Sequence, residues 1–276
     1  MTEIVLAVLA GLLIGSFLNV CVFRLPRDLS VVRPRSFCPG CEKMIAWYDN
    51  IPVLSYVLLG AKCRYCKQRI PVRYPLVEIA TAAAFGVCVA ALGPTLVAAK
   101  YCIFSAILIT LIASDAEERI LPDEFTLGGT AIGLILSVLT PMGRPNELGF
   151  SQFFLSGAVH WRWHSLLESA LGAGLPCVMI WFVGWAYEKL RHREGLGFGD
   201  VKMIAMIGAF LGLRWALLTL IAASLFGSIG GLTYIFLAKK DASTYELPFG
   251  SFLGLAALGV AMFGEVVVGW YSRLGR

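Results

Sequence analysis

Two carboxylates stand where apolar sequence meets polar sequence. Asp115 follows the uncharged run 101–114, and Asp200 opens a short apolar stretch after Gly195-Leu196-Gly197-Phe198-Gly199. An ionisable group at membrane depth is costly and by default marks a functional site. Two carboxylates brought close do not both ionise cheaply, so one keeps a proton while the other is charged. The charged one can take a proton from water while the protonated one polarises a peptide carbonyl. That is general acid–base hydrolysis without a covalent intermediate. The glycines at 195, 197 and 199 leave room for the backbone of an extended substrate. Asp200 also suits a helix N-cap. Glu117, Glu118 and Asp123 are rival partners for Asp200 that lie farther from the apolar segments.

Four of the eight cysteines form two pairs, Cys38-Pro-Gly-Cys41 and Cys63-Arg-Tyr-Cys66, with twenty-one residues between them. Each pair can set two thiolates on one turn, and two such turns make a tetrahedral four-sulfur zinc site. Four thiolates leave no open position for water, so the expected zinc is structural. The loop that carries them has little apolar material, and a metal would supply the fold its small core cannot. The other cysteines, Cys21, Cys88, Cys102 and Cys177, sit in apolar runs and read as packing residues. His160 and His164 are four apart but fall in a polar segment without ligand spacing. The glycine run lacks the Lys-Ser/Thr pair of a phosphate-binding loop.

The elements that position these groups follow from composition. The chain has 276 residues, 58% hydrophobic and 15% charged, with a mean hydropathy of +0.77. A soluble domain has about 45–50% apolar and about 25% charged residues. An ordinary soluble globule, a disordered chain and a fibrous protein are all excluded. The expectation is an all-α polytopic membrane protein. Apolar segments cover 4–23, 79–114 with a break at Gly93-Pro94, 125–140, 166–187, 201–213, 215–238 and 249–270. With the 79–114 stretch folded as a hairpin, these make about eight transmembrane helices. The 201–213 piece is short for a crossing. If it crosses, seventeen of the 23 Lys and Arg fall on one side, and Lys239 and Lys240 fall among them. Basic residues concentrate on the cytoplasmic side, so both termini are expected outside. The four-cysteine loop and both aspartates are then cytoplasmic, where disulfides are disfavoured. Glu3 precedes the first apolar run and Arg24 and Arg27 follow it, which reads as an uncleaved helix rather than a signal peptide.

The net charge is +5, and residues 24–73 alone hold ten basic and three acidic residues. Next to membrane segments this surplus points to anionic membrane lipid, not to nucleic acid. The expected organisation is a first helix over 1–23, a zinc-binding cytoplasmic domain over 24–75 and a membrane domain over 76–276 carrying Asp115 and Asp200.

Several motifs lie along the same frame. They are Gly15-Ser16-Phe17-Leu18-Asn19-Val20, then Ile51-Pro52-Val53-Leu54-Ser55-Tyr56 between the cysteine pairs, then Tyr74-Pro75-Leu76-Val77-Glu78. Leu121-Pro122-Asp123 follows Asp115, Gly197-Phe198-Gly199-Asp200 follows later, and Pro248-Phe249-Gly250 stands near the C-terminus. With these, the chain resembles the type IV prepilin peptidases, also called leader peptidase/N-methyltransferases, over nearly its whole length. The resemblance implies an intramembrane aspartic endopeptidase of the bacterial inner membrane, with Asp115 and Asp200 as its catalytic pair. It implies cleavage of the basic leader of prepilins and pseudopilins after a glycine, at the cytoplasmic face. It further implies N-methylation of the new terminal residue with S-adenosylmethionine, and it makes the cysteine loop the family's zinc-bearing domain. Glu117 stands where many members have Asp, and Ser251 where many have Pro. Glu42, Asp49 and Glu78, or Glu117 and Glu118, are expected to offset the basic loop and to meet the charge of a leader.

Overall fold

Long apolar runs in hydrocarbon must satisfy their backbone internally, which selects helices. The computed structural model describes residues 1–142, 149–155, 159–191, 197–238 and 248–274. Among them the structure is all helical, with two isolated antiparallel bridges and no strand. The helices are α1 (Thr2–Arg24), α2 (Leu54–Leu58), α3 (Arg73–Leu92), α4 (Leu96–Glu118), α5 (Asp123–Leu139), α6 (Trp161–Arg191), α7 (Phe198–Leu211), α8 (Leu213–Ala238) and α9 (Phe249–Leu274). The hairpin expected at Gly93-Pro94 is formed by α3 and α4.

Six of these helices, α1, α3, α4, α6, α8 and α9, are long and apolar enough to cross a membrane. Of the about eight membrane segments expected, α5 has 17 residues and α7 only 14. At 1.5 Å per residue α7 covers about 21 Å, short of a hydrocarbon core of about 30 Å. The polar segment expected to run to Ser165 ends earlier. Helix α6 already begins at Trp161, and His164 and Ser165 are buried in its first turns. Packing of these polar side chains holds a helix there that hydropathy does not signal.

The chain divides into two compact units, Met1–Glu118 and Arg119–Arg276. In the first, α1 packs along α3 through Gly11 and Gly15, which lie four residues apart on one face. A Cβ at Gly11 would stand 2.6 Å from Ala82 Cα, and one at Gly15 would stand 2.7 Å from Glu78 Cα. Small residues at this spacing let helix backbones touch where hydrocarbon supplies no driving force of its own. One turn on, the Asn19 amide nitrogen donates to Tyr74 O at 3.0 Å. At the end of α1, buried Arg24 donates to the carbonyls of Ser30, Pro34 and Arg35 and so ties down the start of the loop.

In the second unit α7 is the core. Met203, Ile204, Met206, Ile207 and Ala209 are fully buried, and α5, α6, α8 and α9 all pack on it. A helix apolar on all sides is one that neighbours surround. Its closest approach is to α6, where a Cβ at Gly208 would lie 1.8 Å from Gly172 O. Ser169 Oγ also donates to Ala209 O at 2.6 Å. Gly212 stops α7 with φ +84°, and its N–H donates to Gly208 O at 2.8 Å.

A methyl group at Gly208 must push α6 and α7 apart, whereas Gly128 of α5 has open space at its Cβ position. Gly208→Ala is expected to destabilise the protein by about 1–3 kcal/mol or more through overpacking. Gly128→Ala is expected to be neutral or to stabilise by up to about 1 kcal/mol. Thermal unfolding of both variants in one detergent measures the difference.

Candidate functional site

The four cysteines that the sequence groups do come together. The thiol sulfurs of Cys38, Cys41, Cys63 and Cys66 all lie within 4.8 Å of one another and could hold a metal ion. Two matching turns build the site. Cys38 N–H donates to Lys43 O, and Glu42 N–H donates back to Cys38 O. Likewise Cys63 N–H donates to Gln68 O, and Lys67 N–H donates to Cys63 O. Bridges Phe37–Met44 and Lys62–Arg69 close the two turns. Glu42 and Lys67, each just after the second cysteine of its pair, have φ of 55° and 60°.

Zinc–sulfur bonds of about 2.3 Å in a tetrahedron place sulfurs about 3.8 Å apart. Cys38 and Cys66 Sγ stand 3.7 Å apart. The Cys63 thiol is held down to about 6, first by the backbone N–H of Cys66, then also by that of Tyr65 and by the Cys38 and Cys66 thiols, against a cost of burial. All eight cysteines are unbridged. A bidentate Arg64–Asp49 pair, at 2.7 and 2.6 Å, braces the domain beside Cys63. Its hydrogen bonds hold the Asp49 carboxyl below the usual carboxylate range.

The aspartates lie one in each unit. Asp115 is buried within α4, one turn before that helix ends at Glu118. Asp200 is half-buried in the first turn of α7. Gly197, not Asp200, holds the N-cap position of that helix. A carboxylate in a first turn is favoured by the helix dipole. A Cβ at Gly197 would stand 3.5 Å from Asp200 Oδ2, an ordinary contact. Gly199 serves differently, for its Cβ position faces the Leu121 side chain at 3.2 Å. Gly195 lies outside the described residues.

The rival acids are engaged elsewhere. Glu118 accepts from Arg27 at 2.5 Å, and Glu117 pairs with Arg73. Both pairs join the end of α4 to the loop side of the first unit. Asp123 accepts from Lys202 Nζ at 2.7 and 2.9 Å within the second unit. The expectation that Glu117 and Glu118 face incoming charge therefore meets internal partners at both positions.

One cluster escapes the spacing of the sequence. In the second unit Ser151 N–H donates to Glu168 Oε1 at 2.6 Å, and Ser151 Oγ lies 3.2 Å from His164 Nδ1. All three residues are buried. Glu168 thereby caps the turn at Phe150–Phe153 and anchors it to α6. Only the four-residue step from His164 to Glu168, one helical turn, signals this in the sequence.

Comparison with known proteins adds the family. The family model described as the bacterial peptidase A24 N-terminal domain matches residues 9–92, and the type IV leader peptidase family matches residues 102–232. A protein of Myxococcus xanthus (strain DK1622), named prepilin leader peptidase/N-methyltransferase, is 39% identical over 80% of this chain and 60% of its own length. A Pseudomonas aeruginosa protein of the same name is 32% identical over 96% of this chain and 92% of its own length. One from Klebsiella pneumoniae, also so named, is 36% identical over 78% of this chain and 88% of its own. No solved structure matches at a significant level. The two family models together take in the cysteine loop, Asp115 and Asp200, and the chain belongs to the type IV leader peptidase family of multi-pass membrane proteases.

Proposed function

We propose that the chain cleaves the basic leader of type IV prepilins and pseudopilins after a glycine, at the cytoplasmic face of the inner membrane, and then N-methylates the new terminal residue. The observation that carries the peptidase reading is where two carboxylates are placed, each at the end of an apolar helix. Asp115 sits buried at the end of a span, and Asp200 sits at a helix start beside a glycine. In this reading Asp115 and Asp200 act together. The ionised one takes a proton from water as its oxygen attacks the carbonyl carbon. The protonated one gives its proton to the carbonyl oxygen. Collapse of the tetrahedral adduct breaks the C–N bond, and the new amine leaves with a proton.

In this reading α1 and α3 to α9 make up the eight membrane segments, with the short α7 enclosed by α5, α6, α8 and α9. Both termini are outside. The Cys38, Cys41, Cys63 and Cys66 thiolates hold a structural zinc that fixes the loop between α1 and α3. S-adenosylmethionine, when bound, supplies an electrophilic methyl group to the amine released by cleavage.

Two results are expected. Asp115→Asn and Asp200→Asn should each lower leader release at least about a hundredfold, the lower range for general acid–base catalysis. Wild-type rates in either variant would contradict the reading. Purified protein should carry one zinc per chain by elemental analysis. Cys38→Ser combined with Cys63→Ser should remove it and open the loop between α1 and α3 to protease, because the metal site and the fold of the loop are coupled. Protease resistance without zinc would show that the loop holds itself.

A further inference from the structure

A groove of about 380 Å³ lies in the first unit, between one face of α1 and the loop that follows that helix. Its volume falls in the range of small-molecule sites. Leu13, Phe17 and Val20 form the helix wall, spaced so that they share one face. Val32, Trp47 and Pro52 stand on the loop wall. From Leu13 to Arg24, where α1 ends, the helix rises about 16 Å. Because α1 is long and apolar enough to span a membrane, the groove starts in hydrocarbon and ends at a membrane face.

The loop is pinned at that depth. Next to Pro52, the Val53 N–H donates to the buried Glu78 carboxylate at 2.7 Å. Glu78 lies more than one turn inside α3, which starts at Arg73, so this part of the loop reaches about 7 Å into the span. Irregular backbone at such a depth needs cover, from protein or from a lined cavity. The walls nevertheless present apolar surface. Leu13 is 66% exposed and Phe17 53%, with Val32 and Trp47 exposed across from them. Tryptophan favours the level of the lipid headgroups, where one end of its ring system is wet.

The charges on the groove have one sign. Its charged lining residues are Arg24 and Arg35, with no carboxylate among the others. Arg24 is 4% exposed and donates to the carbonyls of Ser30 and Pro34 at 2.8 Å and of Arg35 at 3.3 Å. Carbonyl dipoles satisfy its hydrogen bonds and leave its charge uncancelled. Arg27, Arg64 and Arg73 each have a carboxylate partner. Among the described residues no carboxylate pairs with Arg24 or with the exposed Arg35. A buried cation without a counter-ion is costly, and an anion beside it relieves that cost.

The matching ligand has an apolar chain for Leu13 and Phe17 and an anionic head for the Arg24 end. A phospholipid with an anionic headgroup has both, in the orientation that the bilayer itself imposes. A basic leader peptide has the wrong sign of charge for the same place. We propose that this groove binds one anionic phospholipid, its phosphate beside Arg24 and Arg35 and an acyl chain along Leu13 and Phe17. The bound lipid would fill the gap between loop and span and hold the loop against α1. The site is independent of the peptidase reading and stands whichever face of the membrane the loop occupies.

The test titrates full-length protein in detergent with phosphatidylglycerol or with phosphatidylcholine and counts bound lipid by native mass spectrometry. One phosphatidylglycerol is expected to bind at least about tenfold more tightly than phosphatidylcholine. Phosphatidylglycerol with a photoreactive acyl chain is expected to label peptides within residues 13–52. Arg35→Gln removes one exposed charge and is expected to weaken phosphatidylglycerol about fivefold, with zinc content and unfolding temperature as the checks of fold. Equal binding of the two lipids, or label confined to residues outside 13–52, overturns the site. So does a well-folded Arg35→Gln that binds phosphatidylglycerol as wild type does. A prepilin whose apolar segment crosslinks to this groove and excludes the lipid also overturns it, and makes the groove a substrate surface. The headgroup preference and the crosslink map need no variant, so a misfolded Arg35→Gln does not rescue the proposal.

Discussion

A polar group that enters hydrocarbon must bring its partner with it, and the architecture of this protein follows from that constraint. Backbone groups satisfy one another in helices. Serine and threonine hydroxyls donate back to carbonyls one turn earlier, as in Thr81 to Val77 and Thr110 to Ala106. Arg24, buried at the end of α1, spends its donors on three carbonyls of the following loop. Among the described residues, Asn19 Oδ1 and Arg73 Nε are buried atoms without a hydrogen-bond partner, and both residues line one cavity.

Much of the fold can be read in the sequence because hydropathy and charge report the same constraint. The hairpin at Gly93, the long helices and the pairing of cysteines all follow from local residue types. The start of α6 does not, because Trp161–Ser165 is polar and aromatic and turns helical only through the burial of His164 and Ser165. Nor does the central place of α7. The thirteen residues 201–213 read as a weak span, whereas in the fold most of them belong to a core helix that others enclose. The glycine contacts of α1 with α3, and of α6 with α7, are properties of pairs of helices and leave only a faint mark in either alone.

The candidate site divides in the same way. Cys-x-x-Cys spacing fixes a ligand geometry within one turn, so the four thiols were legible before any fold. The aspartates were legible as charges at the borders of apolar runs. That Glu117, Glu118 and Asp123 are ion-paired was not, since each partner lies between 44 and 91 residues away. The convergence of Asn19 with Arg73 has the same origin. It depends on α1 and α3 touching through Gly11 and Gly15, and hydropathy cannot report a backbone contact.

The central claim is that two carboxylates work on one water and one carbonyl with a shared proton. Coupled carboxylates lose their protons in two separated steps, and only the singly protonated pair holds both an acid and a base. The most direct measurement is the initial rate of leader release by the wild-type protein against pH, from about 4 to about 9. A bell, with activity falling on the acid side as the second proton is taken up and on the basic side as the first is lost, is the predicted result. A rate that rises with pH to a plateau would mean a lone general base and would contradict the shared-proton pair.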